Sequence, residues 1–189
     1  MSEQRDLLVL PPDLPAPVDD GAARHLPGRR LPALSLPATD GSVVRLDQLG
    51  PGRTILYCYP RTGRPGEAPL VPDWDRIPGA RGCTPESCGF RDHHAELRAL
   101  GARVFGVSTQ EAAEQQEAAD RLRLPFPLLS DHALQLASAL ELPTLRLAGH
   151  VLLRRLTLVA RDGRVEHVFY PVFPPDRNAQ DVVDWLRRR

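Results

Sequence analysis

The chain of 189 residues has the length of one domain with a sizeable core, and its apolar and charged fractions of 42% and 25% are those of an ordinary globular protein. Its 24 basic and 24 acidic side chains balance, which argues against nucleic-acid or anionic-membrane partners. No segment approaches the roughly 20 apolar residues of a transmembrane helix, and the N-terminus lacks a secretory signal, so we expect a cytoplasmic protein whose cysteines rest as thiols.

The first 30 residues are rich in proline and have no clear hydrophobic period. This composition predicts an extended or poorly ordered arm over residues 1–30, followed by one folded domain over residues 31–189. The apolar run Leu7–Leu10 could dock on the body of that domain or on a partner.

The domain begins with a predicted pair of short strands at residues 33–37 and 42–46, joined by an Asp-Gly turn at Asp40. The apolar run Thr54–Tyr59 has the length and composition of a buried central strand. A loop rich in proline and glycine follows, and we treat its residues 61–81 as an insertion. Loops of this size in a compact domain are usually functional or mobile.

A helix is predicted to open at Thr84, because threonine is a good N-cap, Pro85 suits the first helical position and Glu86 favours the positive end of the helix dipole. Apolar residues recur at helical spacing as far as Leu100. A strand at Arg103–Ser108 then completes a βαβ unit, whose two strands should be parallel.

The rest of the chain alternates in the same way and ends in a predicted antiparallel hairpin and a helix. The predicted elements are a helix at Glu111–Leu124, a strand at Phe126–Leu129, a helix at Asp131–Leu140, strands at Val151–Ala160 and Arg164–Tyr170, and a helix at Asn178–Arg189. This order predicts an α/β fold with a mixed central sheet and helices on both faces, for which a thioredoxin-like sandwich is the simplest choice.

Cys83 lies at the N-terminus of the predicted helix, where unpaired backbone N–H groups favour an anion and therefore the reactive thiolate. The alternative is that Cys83 is a small buried apolar residue.

Cys88 follows five residues later. On a regular helix, Cα atoms at this separation lie roughly 8–9 Å apart and point about 140° away from each other. A disulfide needs a Cα separation below about 7 Å, so the two cannot join while the helix is regular.

A zinc site is a second interpretation, since Cys83, Cys88, His93 and His94 lie close together in the sequence. The spacing argues against it, because there is no C-x-x-C pair and adjacent histidines point in different directions on a helix. Cys58 lies within a predicted buried strand, and we assign it no chemistry.

The segment Cys83–Asp92 resembles the C-T-x-x-x-C-x-F-R-D signature of peroxiredoxins of the Q type, also called bacterioferritin comigratory protein. The resemblance extends from about residue 32 to the C-terminus. It is carried further by segments similar to the family's strands, namely Tyr57-Cys58-Tyr59-Pro60, Val107-Ser108-Thr109, Leu128-Leu129-Ser130-Asp131 and Arg155-Leu156-Thr157-Leu158-Val159.

The resemblance implies a thioredoxin-like fold and thiol-dependent reduction of hydrogen peroxide and organic hydroperoxides, without a metal or organic cofactor. It implies that Cys83 is the peroxidatic cysteine and that Cys88 is the resolving cysteine, which forms a disulfide with Cys83. Thioredoxin or a similar dithiol protein would then reduce the disulfide. We expect a monomer or a homodimer. Arg155, with Arg154 as the fallback, would stabilise the thiolate and polarise the peroxide.

One departure from the family pattern concerns the segment before Cys83. The family has P-x-x-x-T-x-x-C, but here Pro60 is followed by the insertion, and Ala80 stands where the threonine belongs. Thr62, Thr84 or a backbone N–H could supply the missing donor, and we favour Thr62. Within the insertion, Trp74 and its acidic neighbours could form a lid or only decorate the surface. The departure keeps a thioredoxin-fold chaperone or partner-binding protein with weak peroxidase activity as an alternative.

Overall fold

A computed structural model describes residues 6–189 of the chain, which form nine strands and five helices. The strands are Ser35–Pro37 (β1), Val43–Arg45 (β2), Arg53–Cys58 (β3), Ala102–Ser108 (β4), Leu128–Ser130 (β5), Thr144–Leu147 (β6), His150–Leu153 (β7), Leu156–Arg161 (β8) and Arg164–Phe169 (β9). The helices are Cys83–Asp92 (α1), His94–Ala99 (α2), Ala112–Leu122 (α3), Gln135–Leu140 (α4) and Asn178–Arg187 (α5).

Five of the strands form a mixed central sheet in the order β5-β4-β3-β8-β9. β3 pairs in parallel with β4 and antiparallel with β8, so it lies at the centre of the sheet. This arrangement confirms the predicted βαβ unit and the predicted hairpin of β8 and β9. β1 and β2 pair antiparallel around the predicted turn and form a separate two-stranded ribbon.

Alternate residues of β3 point into two hydrophobic clusters, one on each face of the sheet. Ile55 and Tyr57 pack with apolar residues of α1, α2, α3 and α5. Leu56 and Cys58 pack with α4 and the N-terminal segment. Helices therefore cover both faces of the sheet, as the thioredoxin-like sandwich requires.

Two predicted elements are interrupted in the structure. The apolar run Val151–Ala160 is not one strand, because it breaks at Arg154 and Arg155 into β7, which pairs with the unpredicted β6, and β8, which joins the central sheet. The helix predicted as far as Leu100 breaks at His93, whose backbone leaves the helical region (φ −92°, ψ 3°), so that α1 and α2 are separate helices.

The segment over residues 6–30 lies along the body of the protein, while residues 1–5 are outside the described part of the chain. Leu26 is fully buried in the cluster that contains Leu56. Gly28 donates its backbone N–H to Val165, and Val165 donates to Arg29, so this segment covers the open edge of β9. Unpaired edge strands are prone to aggregation, and the segment removes that hazard.

The inserted loop folds back onto the protein through Trp74, which is buried against Ala80 and Leu152. A single 3-10 turn, Trp74–Arg76, is the regular structure of the loop. The loop ends next to the start of α1, where the backbone carbonyls of Gly79, Ala80 and Arg81 accept hydrogen bonds from Nη2 of Arg155. None of the helices within residues 6–189 combines the length and apolarity needed to cross a lipid bilayer.

Candidate active site

α1 begins at Cys83, one residue earlier than predicted, and Gly82 rather than Thr84 occupies the N-cap position. Gly82 has a left-handed backbone (φ 106°), and a Cβ there would lie 2.3 Å from Cγ of Pro175. Glycine is the residue that tolerates this conformation and this close approach. Cys83 is consequently the first residue of the helix, where its backbone N–H and that of Thr84 have no acceptor within the helix.

Cys83 is 3% exposed, and its thiol faces the segment between β7 and β8. Nη2 of Arg155 donates to Sγ of Cys83 at 3.2 Å, and Sγ lies 3.6 Å from the carbonyl oxygen of Ala80. A guanidinium at this distance and a helix N-terminus both stabilise a thiolate relative to a thiol. The geometry can therefore present a nucleophilic sulfur with a cation beside it.

The Arg155 guanidinium is buried and is fixed by several acceptors. Nη1 forms a short ion pair with Oε2 of Glu86, and Nη2 also donates to the backbone carbonyl of Gly79 at 3.2 Å. Desolvation alone would lower the pKa of Arg155, but the negative charges of Cys83 and Glu86 more than offset it and raise that pKa. The guanidinium is thus held in its charged form and in one orientation.

Glu86 completes this buried cluster, since its other carboxylate oxygen accepts a hydrogen bond of 2.7 Å from Nδ2 of Asn178. Nδ2 of Asn178 also donates to Oγ1 of Thr157 on β8, again at 2.7 Å. Burial raises the pKa of Glu86, while Arg155 and Asn178 oppose that shift. Because both carboxylate oxygens face N–H donors, the arrangement is that of an ionised carboxylate.

Arg154 points away from this cluster. Its guanidinium donates to the carbonyl oxygen of Thr144 at 3.1 Å and lies 3.8 Å from Asp20. Neither arginine belongs to a strand, so the difference in direction comes from the break between β7 and β8 and not from strand alternation. Of the two arginines considered from the sequence, Arg155 is the one that the structure brings to Cys83.

Cys88 lies on the second turn of α1, half-buried, and all three cysteines are free thiols. Burial raises the pKa of the Cys88 thiol, with the nearby Arg91 guanidinium opposing the shift. α1 is an uninterrupted helix from Cys83 to Asp92, so Cys88 points about 140° away from Cys83 around the helix axis. The structure therefore describes a state in which the two sulfurs cannot bond.

Pro60 and Thr62 flank the site from the end of β3. Thr62 lines the same cavity as Cys83, but its hydroxyl donates to Oε1 of Gln110 at 3.0 Å, and its backbone N–H donates to the same oxygen at 2.8 Å. Pro60 lines a different cavity, together with Arg155. The hydrogen bond predicted from Thr62 to the thiolate is not formed in this state.

Two cavities meet the cluster from different sides. The larger, of about 370 Å³, is lined by Cys83, Thr84 and Arg81, together with Trp74 of the inserted loop and Leu7 of the N-terminal segment. The smaller, of about 250 Å³, is mostly apolar and includes Pro60, Arg155 and Tyr170. The insertion thus forms part of the wall above Cys83, which is the placement that a lid would have.

The alternative zinc ligands do not assemble in the described part of the chain, where no three His, Cys, Asp or Glu side chains are grouped as a metal site needs. His93 instead forms a pair with Glu96, at 3.2 Å, and His94 packs against Phe126.

Cys58 is fully buried in the sheet, and desolvation raises its pKa far above the usual range for a thiol.

Two buried polar residues of the cluster, Glu86 and Asn178, were not identified as site residues from the sequence. Glu86 was interpreted only as a favourable charge near a helix start, and Asn178 only as the first residue of the last helix. The one available signal was the position of Glu86, three residues after Cys83, which places both side chains on the same face of α1.

Comparisons with known proteins place these residues in a family context. The model of the Redoxin family matches residues 26–184. The peroxiredoxin Bcp of Escherichia coli K12 is 30% identical over 160 residues, which are 82% of this chain and 92% of that protein. The chloroplastic peroxiredoxin Q of Triticum aestivum is 29% identical over 152 residues, 80% of this chain and 62% of that protein.

Among solved structures, peroxidoxin BcpB from Mycobacterium tuberculosis superposes with a TM-score of 0.68 at 29% identity, covering 86% of this chain and 97% of that one. The chain spans 58% to 66% of the length of four of its curated relatives, the wheat protein among them.

The start of α1 gives a first prediction. Gly82→Ala should lower the free energy of unfolding by about 2–5 kcal/mol, because it adds left-handed backbone strain to a clash with Pro175. Gly66→Ala is the matched control, since Gly66 also has a positive φ (80°) but has open space around its Cβ position, and it should cost only about 1 kcal/mol. Urea denaturation of both variants measures the difference, and equal costs would contradict the role given to Pro175.

Proposed function

Because the chain belongs to the Redoxin family, and within it to the peroxiredoxins of the Q type, we propose that it is a thiol peroxidase that reduces hydrogen peroxide and organic hydroperoxides. The observation that carries the proposal is the Arg155 guanidinium 3.2 Å from Sγ of Cys83, at the first residue of a helix. In this setting the negative charge of a Cys83 thiolate is stabilised by its neighbours, while the sulfur remains free to act as a nucleophile.

In the proposed reaction, the Cys83 thiolate attacks the terminal oxygen of a hydroperoxide. An S–O bond forms as the O–O bond breaks, the thiol is oxidised to a sulfenic acid, and the leaving oxygen departs as an alcohol or water after taking up a proton. Arg155 lies beside the sulfur, where its fixed positive charge and N–H donors would stabilise the negative charge that moves onto the leaving oxygen.

The Cys88 sulfur then attacks the sulfenic sulfur, releasing water and forming the Cys83–Cys88 disulfide. The spacing of the two residues on α1 requires that the first turns of the helix unwind for this step. A thiol reductant returns both cysteines to thiols, and we propose thioredoxin or a similar dithiol protein in this role. Such a cycle needs a reducing compartment, which favours the cytoplasm.

The roles that we propose for Pro60 and Thr62 rest on their positions alone. Pro60 would shape the wall beside Arg155, and Thr62 would reach the thiolate only after releasing Gln110. We propose that the protein acts as a monomer or as a homodimer. The steps proposed above, from attack on the peroxide to reduction of the disulfide, use no metal and no organic cofactor.

The chemistry of the cysteine pair can be tested by mass. One equivalent of hydrogen peroxide should remove two hydrogen atoms from the reduced protein, and peptide mapping should find the Cys83–Cys88 disulfide. Cys88→Ser should instead gain one oxygen atom at Cys83 and should over-oxidise when further peroxide is added. Cys58→Ser is the control and should behave as wild type, because Cys58 is fully buried. A wild-type protein that leaves Cys83 reduced would favour the chaperone or partner-binding alternative.

Arg155 and Arg154 form a matched pair of adjacent arginines for kinetics. Arg155→Met should slow the reaction of Cys83 with peroxide by about two to three orders of magnitude, the usual cost of losing a donor to a developing oxyanion. Arg154→Met should change the rate less than twofold, because its guanidinium is turned towards Thr144 and Asp20. Stopped-flow fluorescence measures both rates, and a larger loss in Arg154→Met would overturn the assignment.

A further inference from the structure

Arg81 is a buried arginine at the end of the inserted loop, two residues before Cys83. It is 6% exposed and lines the 370 Å³ cavity that Cys83 also lines. Its backbone carbonyl accepts a hydrogen bond from Nη2 of Arg155, at 3.2 Å, so its main chain is fixed against the cluster. Arg81 follows Ala80, which stands where the family pattern has the threonine that bonds the thiolate.

The N-terminal segment holds the Arg81 guanidinium in place. Nη2 donates a short hydrogen bond to the backbone carbonyl of Asp6 and a second one, of 3.0 Å, to that of Val9. Nε has no hydrogen-bond partner although it is buried. The carboxylate of Asp75 forms an ion pair with Nε at 3.9 Å, beyond hydrogen-bonding distance, and its side chain is 38% exposed, so solvent screens it.

The buried cluster around Cys83 has an excess negative charge that the Arg81 guanidinium offsets. When Cys83 is a thiolate, it and the Glu86 carboxylate carry two negative charges, against the single positive charge of Arg155. A buried cluster with one excess negative charge is costly, and a further cation reduces that cost. Desolvation lowers the pKa of Arg81, and the charges of Cys83 and, to a smaller extent, Asp6 oppose that shift, so the charges of Cys83 and Arg81 act on each other.

The other charged side chains around the cavity do not supply that cation, because they pair with one another. Three arginines face three glutamates in this network, with the pairs Arg61–Glu114 at 2.5 Å, Arg64–Glu117 at 3.7 Å, Arg64–Glu67 at 3.8 Å and Arg121–Glu117 at 2.7 Å. The network is neutral as a whole and so offers no excess positive charge to the thiolate, whereas the Arg81 guanidinium is buried, lines the same cavity as Cys83 and has Nε without a hydrogen-bond partner.

We propose that Arg81 is a second electrostatic partner of the Cys83 thiolate, carried to the site by the insertion and held there by the backbone of residues 6–9. In this role its positive charge compensates for the hydroxyl that Ala80 lacks. The proposal rests on the thiol chemistry of Cys83 proposed above, and it assigns a task to the insertion and to the N-terminal segment.

The test separates the charge of Arg81 from its hydrogen bonds. Arg81→Gln keeps an N–H donor for the carbonyls of Asp6 and Val9 but removes the charge, whereas Arg81→Lys keeps both. Arg76→Met is the control, because Arg76 belongs to the same loop but its side chain is 87% exposed. The readouts are the pH profile of Cys83 alkylation by iodoacetamide in a Cys58→Ser/Cys88→Ser background and the rate of reaction with hydrogen peroxide.

Arg81→Gln should move the pH midpoint of alkylation upwards by about one unit and slow the peroxide reaction roughly tenfold, since one unit and a factor of ten both correspond to about 1.4 kcal/mol of lost thiolate stabilisation. Arg81→Lys should recover most of both effects, and Arg76→Met should change neither. A Gln variant with the wild-type midpoint overturns the proposal, as does a Lys variant that shifts as far as Gln. The midpoint needs no turnover, so a failure of peroxidase activity in the wild type is distinguishable from a failure of this role.

Discussion

The first two turns of α1 are the constraint on which the rest of the site depends. The same helical backbone offers unpaired N–H groups to Cys83, places Glu86 one turn further on to hold Arg155, and keeps Cys88 on a different side of the axis. A regular helix at this point therefore favours the first step of the proposed cycle, attack of the Cys83 thiolate on a peroxide, and by the same geometry blocks the proposed second step, formation of the disulfide with Cys88. The two halves of the proposed cycle need different conformations of one segment.

The contacts around α1 suit a segment that must be both fixed and releasable. Phe90 stacks on Tyr57 of the central strand, with ring centroids 4.3 Å apart, and anchors the second half of the helix. The first half is held mainly by polar contacts, through Glu86, and by the close approach of Pro175 to Gly82. Gly89, in the middle of the helix, lowers the cost of unwinding it. Loss of the thiolate charge on oxidation would weaken the polar contacts first.

Local patterns were enough to predict the position of Cys83 at the start of a helix, the central strand and the thioredoxin-like order of elements, because each depends on neighbouring residues. The cap at Gly82 was missed, since its backbone depends on Pro175, which is distant in sequence, and Thr84-Pro85 is a plausible start by local rules. Asn178 was missed for the same reason, because its partner Glu86 is 92 residues away. The break between β7 and β8 was hidden by apolar residues on both sides of it. Burial of polar groups across such separations follows from packing and not from periodicity.

The central claim is that α1 is regular when the thiols are reduced and unwound when they are joined, and hydrogen exchange of the backbone amides tests it directly. Reduced protein and protein with a mass-verified Cys83–Cys88 disulfide would be compared by exchange and peptide mass spectrometry. The account predicts that the amides from Ser87 to Asp92 lose protection in the disulfide form, while those of the central strand Arg53–Cys58 keep it. Equal protection of Ser87–Asp92 in both forms would contradict the account.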